Sequence, residues 1–312
     1  MLNTFHLQTF LAVVDAGNYT AAAELLHMSQ PAVSQQIRTL EEQLGDVRLF
    51  RRVGQRMVPT HAGEELLVAA RELVTLAERA EQNIRALRGQ VAGRVTIGCT
   101  PNSGEYLLPP LLAAFHTLFP TIMLTVQVAP SEVLLEELVS QQMTLLLIEE
   151  QQRRRGWESR IVGSEDLVLV APAHHPLLQQ EAVPPGMLRE EPLVLPRAGT
   201  PLRRTIEEGL RRRGLVAGDL CIALETDSMA LALQGVHSGL GLAFIPATRR
   251  IPLPELAPID LAGAPLQQEW YVLRVRERSA PRAAQELFTF LIGETARALL
   301  NKAGLQVTDG SA

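Results

Sequence analysis

The sequence predicts a multidomain chain: an all-α N-terminal head with a hairpin wing, one long linker helix, and a C-terminal α/β region in two lobes. Three observations carry this. Short helical stretches with strong cap residues fill the first 45 positions, a heptad pattern follows from Gly63, and β-branched strands alternate with helices from Arg94 onward. At 312 residues the chain is long enough for two or three folding units.

In the head, Leu7, Phe10, Leu11 and Val14 recur at helical spacing, and Gly17 stops that helix. Asn18 caps a second helix over Tyr19–His27, where Ala21, Ala22 and Ala23 allow close approach of a neighbour. Ser29 caps a third, with Pro31 in its first turn, where a missing N–H does no harm. This helix runs from Gln30 to about Leu44 and turns Val33, Ile37, Leu40 and Leu44 inward.

Its opposite face carries Gln30, Ser34, Gln35 and Arg38. Amides and guanidinium groups match the donor and acceptor edges of adenine and guanine in the major groove. A merely solvated helix face has the same composition, so the next segment decides. From Val47 to Val58, two short apolar-containing runs join across Gly54, with Arg48, Arg51, Arg52 and Arg56 among them and no acid between Arg48 and Arg56. That reads as a wing offering cations to a phosphate backbone. The formal net charge of −5 argues against nucleic acid only on average, because binding needs a local basic face.

The runs Tyr19-Thr20-Ala21-Ala22-Ala23-Glu24-Leu25-Leu26-His27 and Ser29-Gln30-Pro31-Ala32-Val33-Ser34-Gln35-Gln36-Ile37-Arg38 carry the family resemblance. So do Leu40-Glu41, Leu44-Gly45, Leu49-Phe50 and Thr60-His61-Ala62-Gly63. Together they resemble the signature of LysR-type transcriptional regulators. Asp46 stands as an extra residue before the wing, and Pro59 and His61 depart from the usual residues there. The resemblance implies double-stranded operator DNA as a partner, met by Thr20, Ser29, Gln30, Pro31, Ser34, Gln35 and Arg38, with Arg52 and Arg56 on phosphates.

After Gly63, Leu66, Ala70, Leu73, Ala77, Ala80, Ile84 and Leu87 alternate at spacings of four and three, flanked by charges. So narrow a stripe implies a partner helix, or else packing on the chain's own head. In the resembled family the linker helix pairs two chains, which implies a homodimer, and a homotetramer by further pairing. The head is expected over 1–62, the linker over 63–90 with a hinge at Gln90–Gly93, the effector region over 91–300 and a loose tail over 301–312.

In the effector region, Arg94–Gly98, Met123–Ala129 and Leu145–Ile148 read as strands of one lobe, about 94–162 plus 268–300. Leu167–Val170, Leu193–Leu195 and Leu242–Ile245 belong to the other, about 163–267, and Gln268–Leu273 returns to the first. This resembles the periplasmic-binding-protein-like effector domain of the family. A ligand there sits beyond the strand ends, against helix N-termini. The turns Thr100–Ser103 and Gly199-Thr200-Pro201 fit that position, so Thr100, Asn102, Ser103, Gly199 and Thr200 are candidates, with Ser131 and Thr226 at similar places. Simple capping would use the same residues. Hydroxyls at helix starts suit a small anionic metabolite. Gln142-Met143-Thr144 departs from the family's glycine and aspartate, which points to a different inter-lobe wall. The Tyr106-Leu107-Leu108-Pro109 run and the Gly199-Thr200 turn resemble the branch that regulates sulfur assimilation and carbon fixation.

Catalytic and metal motifs are absent from the sequence, so no enzyme activity, metal or cofactor is expected. His174-His175 reads as structural, and Glu149-Glu150 with Arg153–Arg155 as a solvated loop. Cys99 and Cys221 fit no disulfide or zinc spacing and read as buried reduced thiols; a redox switch between them is the less favoured reading. Met1–Phe10 lacks the features of a signal peptide, and no run approaches the ~20 apolar residues of a membrane span, so a cytoplasmic location is expected. A competing function is a cytosolic solute-binding module whose head serves only assembly.

Overall fold

The computed structural model describes residues 2–86, 91–140, 143–247, 255–276, 280–302 and 304–306. The head packs α1 (Thr4–Ala16), α2 (Tyr19–Leu25) and α3 (Gln30–Gln43) under a two-stranded wing, β1 (Phe50–Val53) and β2 (Arg56–Pro59). Its caps are the predicted ones: Asn18 Oδ1 accepts from Ala21 N at 2.8 Å and Ser29 Oγ from Ala32 N at 3.4 Å. The second helix stops at Leu25, two residues short of the expected end, because His27 takes a left-handed backbone with φ 52°. Leu7, Phe10, Val13, Val33, Ile37 and Leu40 form the core, with Leu11, Val14 and Leu44 packed against it half-buried. The wing is pinned to this core. Phe50 stacks against Phe10 at 5.2 Å, and Met57 N donates to Gly17 O at 2.7 Å.

Glu41 is the head's buried clamp. One carboxylate oxygen accepts from Leu49 N at 2.8 Å, and the other meets Arg48 at 3.0 Å. Arg48 is therefore occupied within the head, while Arg51, Arg52 and Arg56 stand exposed. The linker helix α4 spans His61–Ala86 and is entered through Thr60, whose hydroxyl accepts from Gly63 N at 3.2 Å. Its first turns pack on α1, and Leu66, Ala70 and Val74 join the head's own core.

The C-terminal region holds one nine-stranded sheet among the described residues, ordered β4-β3-β5-β11-β6-β9-β7-β8 with β10 on β6. β3 (Gly93–Cys99) lies parallel to β4 (Ile122–Val128) and β5 (Leu145–Ile148). Likewise β7 (Pro192–Leu195) lies parallel to β8 (Cys221–Glu225) and β9 (Leu242–Pro246). The two parallel units are joined by the long antiparallel pair β6 (Trp157–Pro172) and β11 (Leu266–Val275), with β10 (Leu256–Ile259) completing the sheet. One core forms around β3, β5, α5 (Leu108–Leu118) and α9 (Arg282–Leu291). The other forms around β7, β9, α7 (Pro201–Arg211) and α8 (Met229–His237).

The described part of the expected tail departs from expectation. α10 (Glu294–Lys302) continues past residue 300, Leu305 is buried, and Gln306 exchanges two backbone hydrogen bonds of 2.7 Å with Ser164. Apolar burial at Leu305 holds 304–306, part of the tail expected loose over 301–312; residues 303 and 307–312 lie outside the described residues.

Candidate functional site

On α3 the apolar face is locked in the head, and Gln30, Pro31, Gln35 and Arg38 face solvent with Ser34 half-buried. Thr20 is exposed at the start of α2. Ser29 acts as the N-cap of α3. In the wing, Val53 pairs with Arg56 across a two-residue turn where Gly54 takes φ 62°, a left-handed conformation that favours glycine. Arg52 Nε donates to Gly54 O at 3.0 Å, which braces the turn and holds this guanidinium at the wing tip.

The linker stripe divides. Leu66 and Ala70, expected to face a partner chain, are covered by the chain's own head, together with Val74, which the heptad pattern missed. Leu73, Leu76, Ala80 and Ile84 stand exposed, and Ala77 is half-buried. At ~100° per residue the exposed face lies about a quarter-turn from the head-facing one. Leu87 lies outside the described residues.

Between the two cores of the sheet lies a cavity of about 410 Å³. Six of the seven predicted effector residues line it: Thr100, Asn102, Ser131, Gly199, Thr200 and Thr226. Gly199 takes φ 85°, and this left-handed turn delivers Thr200 to the N-cap of α7, where its hydroxyl accepts from Arg203 N at 3.4 Å. Thr226 Oγ1 accepts from Ser228 N at 3.1 Å, and Ser228 caps α8 by accepting from Leu231 N at 3.3 Å. Facing these, Ser131 opens α6 (Ser131–Val139). Its hydroxyl is buried and has no hydrogen-bond partner among the described residues. Three helix N-termini thus converge on one space, and their partial positive charges favour an anion.

Ser103 does not line the cavity. It is fully buried behind Thr100, with its hydroxyl on Leu147 O at 2.9 Å. It begins a π-helical turn, Ser103–Leu107, in which Leu108 N donates to Ser103 O. Of the departure at Gln142-Met143-Thr144, the two described residues stand away from the inter-lobe wall. Met143 is buried beside Gly98, Thr144 Oγ1 donates to Thr96 O at 2.9 Å, and neither lines the cavity; Gln142 lies outside the described residues.

Two acids expected in a solvated loop are both engaged. Glu149 is buried in the cavity wall and accepts from the Thr100 hydroxyl at 2.6 Å. Glu150 pairs with Arg204 of α7 at 2.6 Å, linking the end of β5 to the opposite lobe. Behind the Thr200 turn, the buried Arg203 donates to Pro196 O at 2.9 Å and pairs with Glu207 at 2.7 Å and Glu225 at 2.9 Å. The structure brings Arg197 and Asp227 together at the cavity mouth. His175 is structural, as expected: its ring accepts from Leu177 N at 3.3 Å.

Of the cysteines, Cys99 is buried, and burial first, then the Glu149 carboxylate, pushes its thiol up to about 11. Cys221, expected buried, is exposed on the edge strand β8. The two occupy opposite ends of the sheet, so no switch joins them.

Comparison with known proteins decides the family. Residues 5–64 match the family model "Bacterial regulatory helix-turn-helix protein, lysR family", and residues 88–296 match "LysR substrate binding domain". This chain is a LysR-type transcriptional regulator. It is 32% identical to the HTH-type transcriptional regulator CbbR of Xanthobacter flavus, over 90% of this chain and 84% of that one. It is also 32% identical to a RuBisCO operon transcriptional regulator of Allochromatium vinosum, over 93% and 96%. Among solved structures, full-length CbnR complexed with its target DNA aligns with a TM-score of 0.68 at 27% identity, covering 93% of this chain and 99% of that one. Full-length OxyR of Pseudomonas aeruginosa, at 20% identity and TM-score 0.71, shares the fold over 95% and 97%. The regulator thus joins a DNA-binding head to an effector-binding domain in a family that is not enzymatic. Among the described residues no helix is long and apolar enough to cross a membrane.

Proposed function

We propose that this regulator is a cytoplasmic protein that binds operator DNA as a dimer, or as a tetramer of paired dimers. Occupation of the cavity by a small anionic metabolite adjusts that binding. The carrying observation is the exposed polar face of α3, held rigid by its apolar side and flanked by the wing arginines. In this reading Gln30, Ser34, Gln35 and Arg38 meet base edges, Thr20, Ser29 and Pro31 lie at the groove wall, and Arg52 and Arg56 contact phosphates. Leu73, Leu76, Ala80 and Ile84 supply the seam with a second α4, with Ala77 at its margin. The effector lies against Thr100, Asn102, Ser131, Gly199, Thr200 and Thr226, and its anionic group takes the positive ends of α7 and α8. The solute-binding alternative is disfavoured, because a head used only for assembly needs no exposed amide and guanidinium face. Competition binding with Gln35→Ala and Arg38→Ala tests the reading. Each is expected to lower specific affinity by about 1–3 kcal/mol while leaving non-specific affinity nearly unchanged. Equal losses on specific and random duplexes would remove α3 from base readout.

A further inference from the structure

The two walls of the cavity differ in chemistry. On one side, Thr226 receives the Ser228 N–H and keeps its own hydroxyl proton to give, beside the N-termini of α7 and α8. On the other side stands Glu149, at the end of the fully buried strand β5. Its backbone is fixed by Gln268 Nε2, which donates to Glu149 O at 3.1 Å. Thr100 donates its hydroxyl proton to Glu149 Oε1 at 2.6 Å, so that proton is directed at the carboxylate and not at a ligand. Glu149 Oε1 is thus held as an acceptor, so a ligand group touching that oxygen must bring the proton. A bare anion against this oxygen would set one acceptor against another with no proton between them.

We propose that the effector is bipolar: its anionic group lies on the Thr200–Thr226 side, and a hydrogen-bond donor, a hydroxyl or an ammonium, lies against Glu149. This inference rests on the anion reading of the cavity and narrows it. A ligand of this kind touches both lobes at once, so the same group that gives selectivity also ties the lobes together. Glu149 then acts as the specificity-determining residue that rejects simple inorganic anions and unsubstituted dicarboxylates.

The test is calorimetric titration of the full-length protein with succinate, malate and aspartate. These share one four-carbon dicarboxylate skeleton and carry hydrogen, hydroxyl or ammonium at the same carbon. Inorganic sulfate is the bare anion and glycerol the neutral donor. Malate or aspartate is expected to bind at least about tenfold more tightly than succinate. Glu149→Gln keeps an acceptor for Thr100 and is expected to erase that preference, while Glu149→Asp keeps it in weakened form. Succinate or sulfate binding as tightly as the donor-bearing acids overturns the inference and leaves the anion reading standing; so does a preference that survives Glu149→Gln. Glycerol binding alone, or no binding by any of the acids or by sulfate, overturns both. If a variant does not fold, the ranking on the unaltered protein decides by itself.

Discussion

Replacing Arg203 by methionine removes the charge that organises the floor of the Thr200 turn. Arg203 is 3% exposed, and its guanidinium holds Pro196 O, Glu207 and Glu225. Breaking a buried ion pair by deleting one partner costs ~3–5 kcal/mol when the remaining charge stays buried. Here Glu207 and Glu225 keep 32% and 43% of their side chains in solvent. Solvent screening lowers the expected loss to about 2–3 kcal/mol, most of it from the orphaned Pro196 carbonyl and the lost cross-link between α7 and β8. For an effector domain of this size that is a fall of about 5–10 °C in the unfolding midpoint. Pro196 and Thr200 line the cavity, so ligand affinity should fall with stability. Differential scanning calorimetry of the full chain reads the first effect and ligand titration the second, and Arg203→Lys should fall between. A midpoint within about 1 °C of the parent, with unchanged ligand affinity, would refute the role given to this cluster.

Other outcomes follow from the same structure. Arg52→Gln should flatten the salt dependence of DNA binding by about one phosphate contact, or ~3–4-fold less affinity lost between 50 and 200 mM salt; an unchanged slope removes Arg52 from the backbone. Leu76→Glu, on the exposed face of α4, should dissociate the dimer in sedimentation without lowering the melting temperature of the head. Leu66→Ala should instead destabilise the head by ~2–3 kcal/mol, because that side chain lies in its core. The Cys99 thiol, raised to about 11 in the folded state, stays neutral there while the unfolded thiol ionises near 9. Its contribution to stability is complete below pH ~9 and is lost as pH rises toward ~11, by up to about 2–3 kcal/mol; Cys99→Ala should flatten that alkaline fall in urea titrations. At neutral pH the exposed Cys221 should react with a thiol reagent and Cys99 should not.

The caps and turns were legible because they are local. Asn18, Ser29 and the Gly199-Thr200 turn each announce a helix start through their own chemistry, and the structure places each as read. The faces of α4 were not separable. Spacings of four and three mark an apolar stripe but not what covers it, so Leu66 and Ala70 looked the same as Leu73 and Ile84. Glu149 was hidden for a similar reason: beside Glu150 and a run of arginines it resembles a solvated loop. A signal was available in the run Leu145–Ile148. A fully apolar strand is buried on both faces, and the residue after its carboxyl end falls where ligands bind in such sheets. Ser103 shares the hydroxyl chemistry of Thr100, and only the wider π-helical turn decides that it points into the protein.

The most direct test of the account is a titration of the full chain against duplex DNA from immediately upstream of its own coding region, with excess non-specific competitor, repeated in rising salt. The expected result is a specific complex that weakens steeply with salt and whose affinity Arg38→Ala lowers by about 1–3 kcal/mol. A folded dimer that binds this duplex no better than random sequence, with Arg38→Ala indistinguishable from the parent on both, would contradict it.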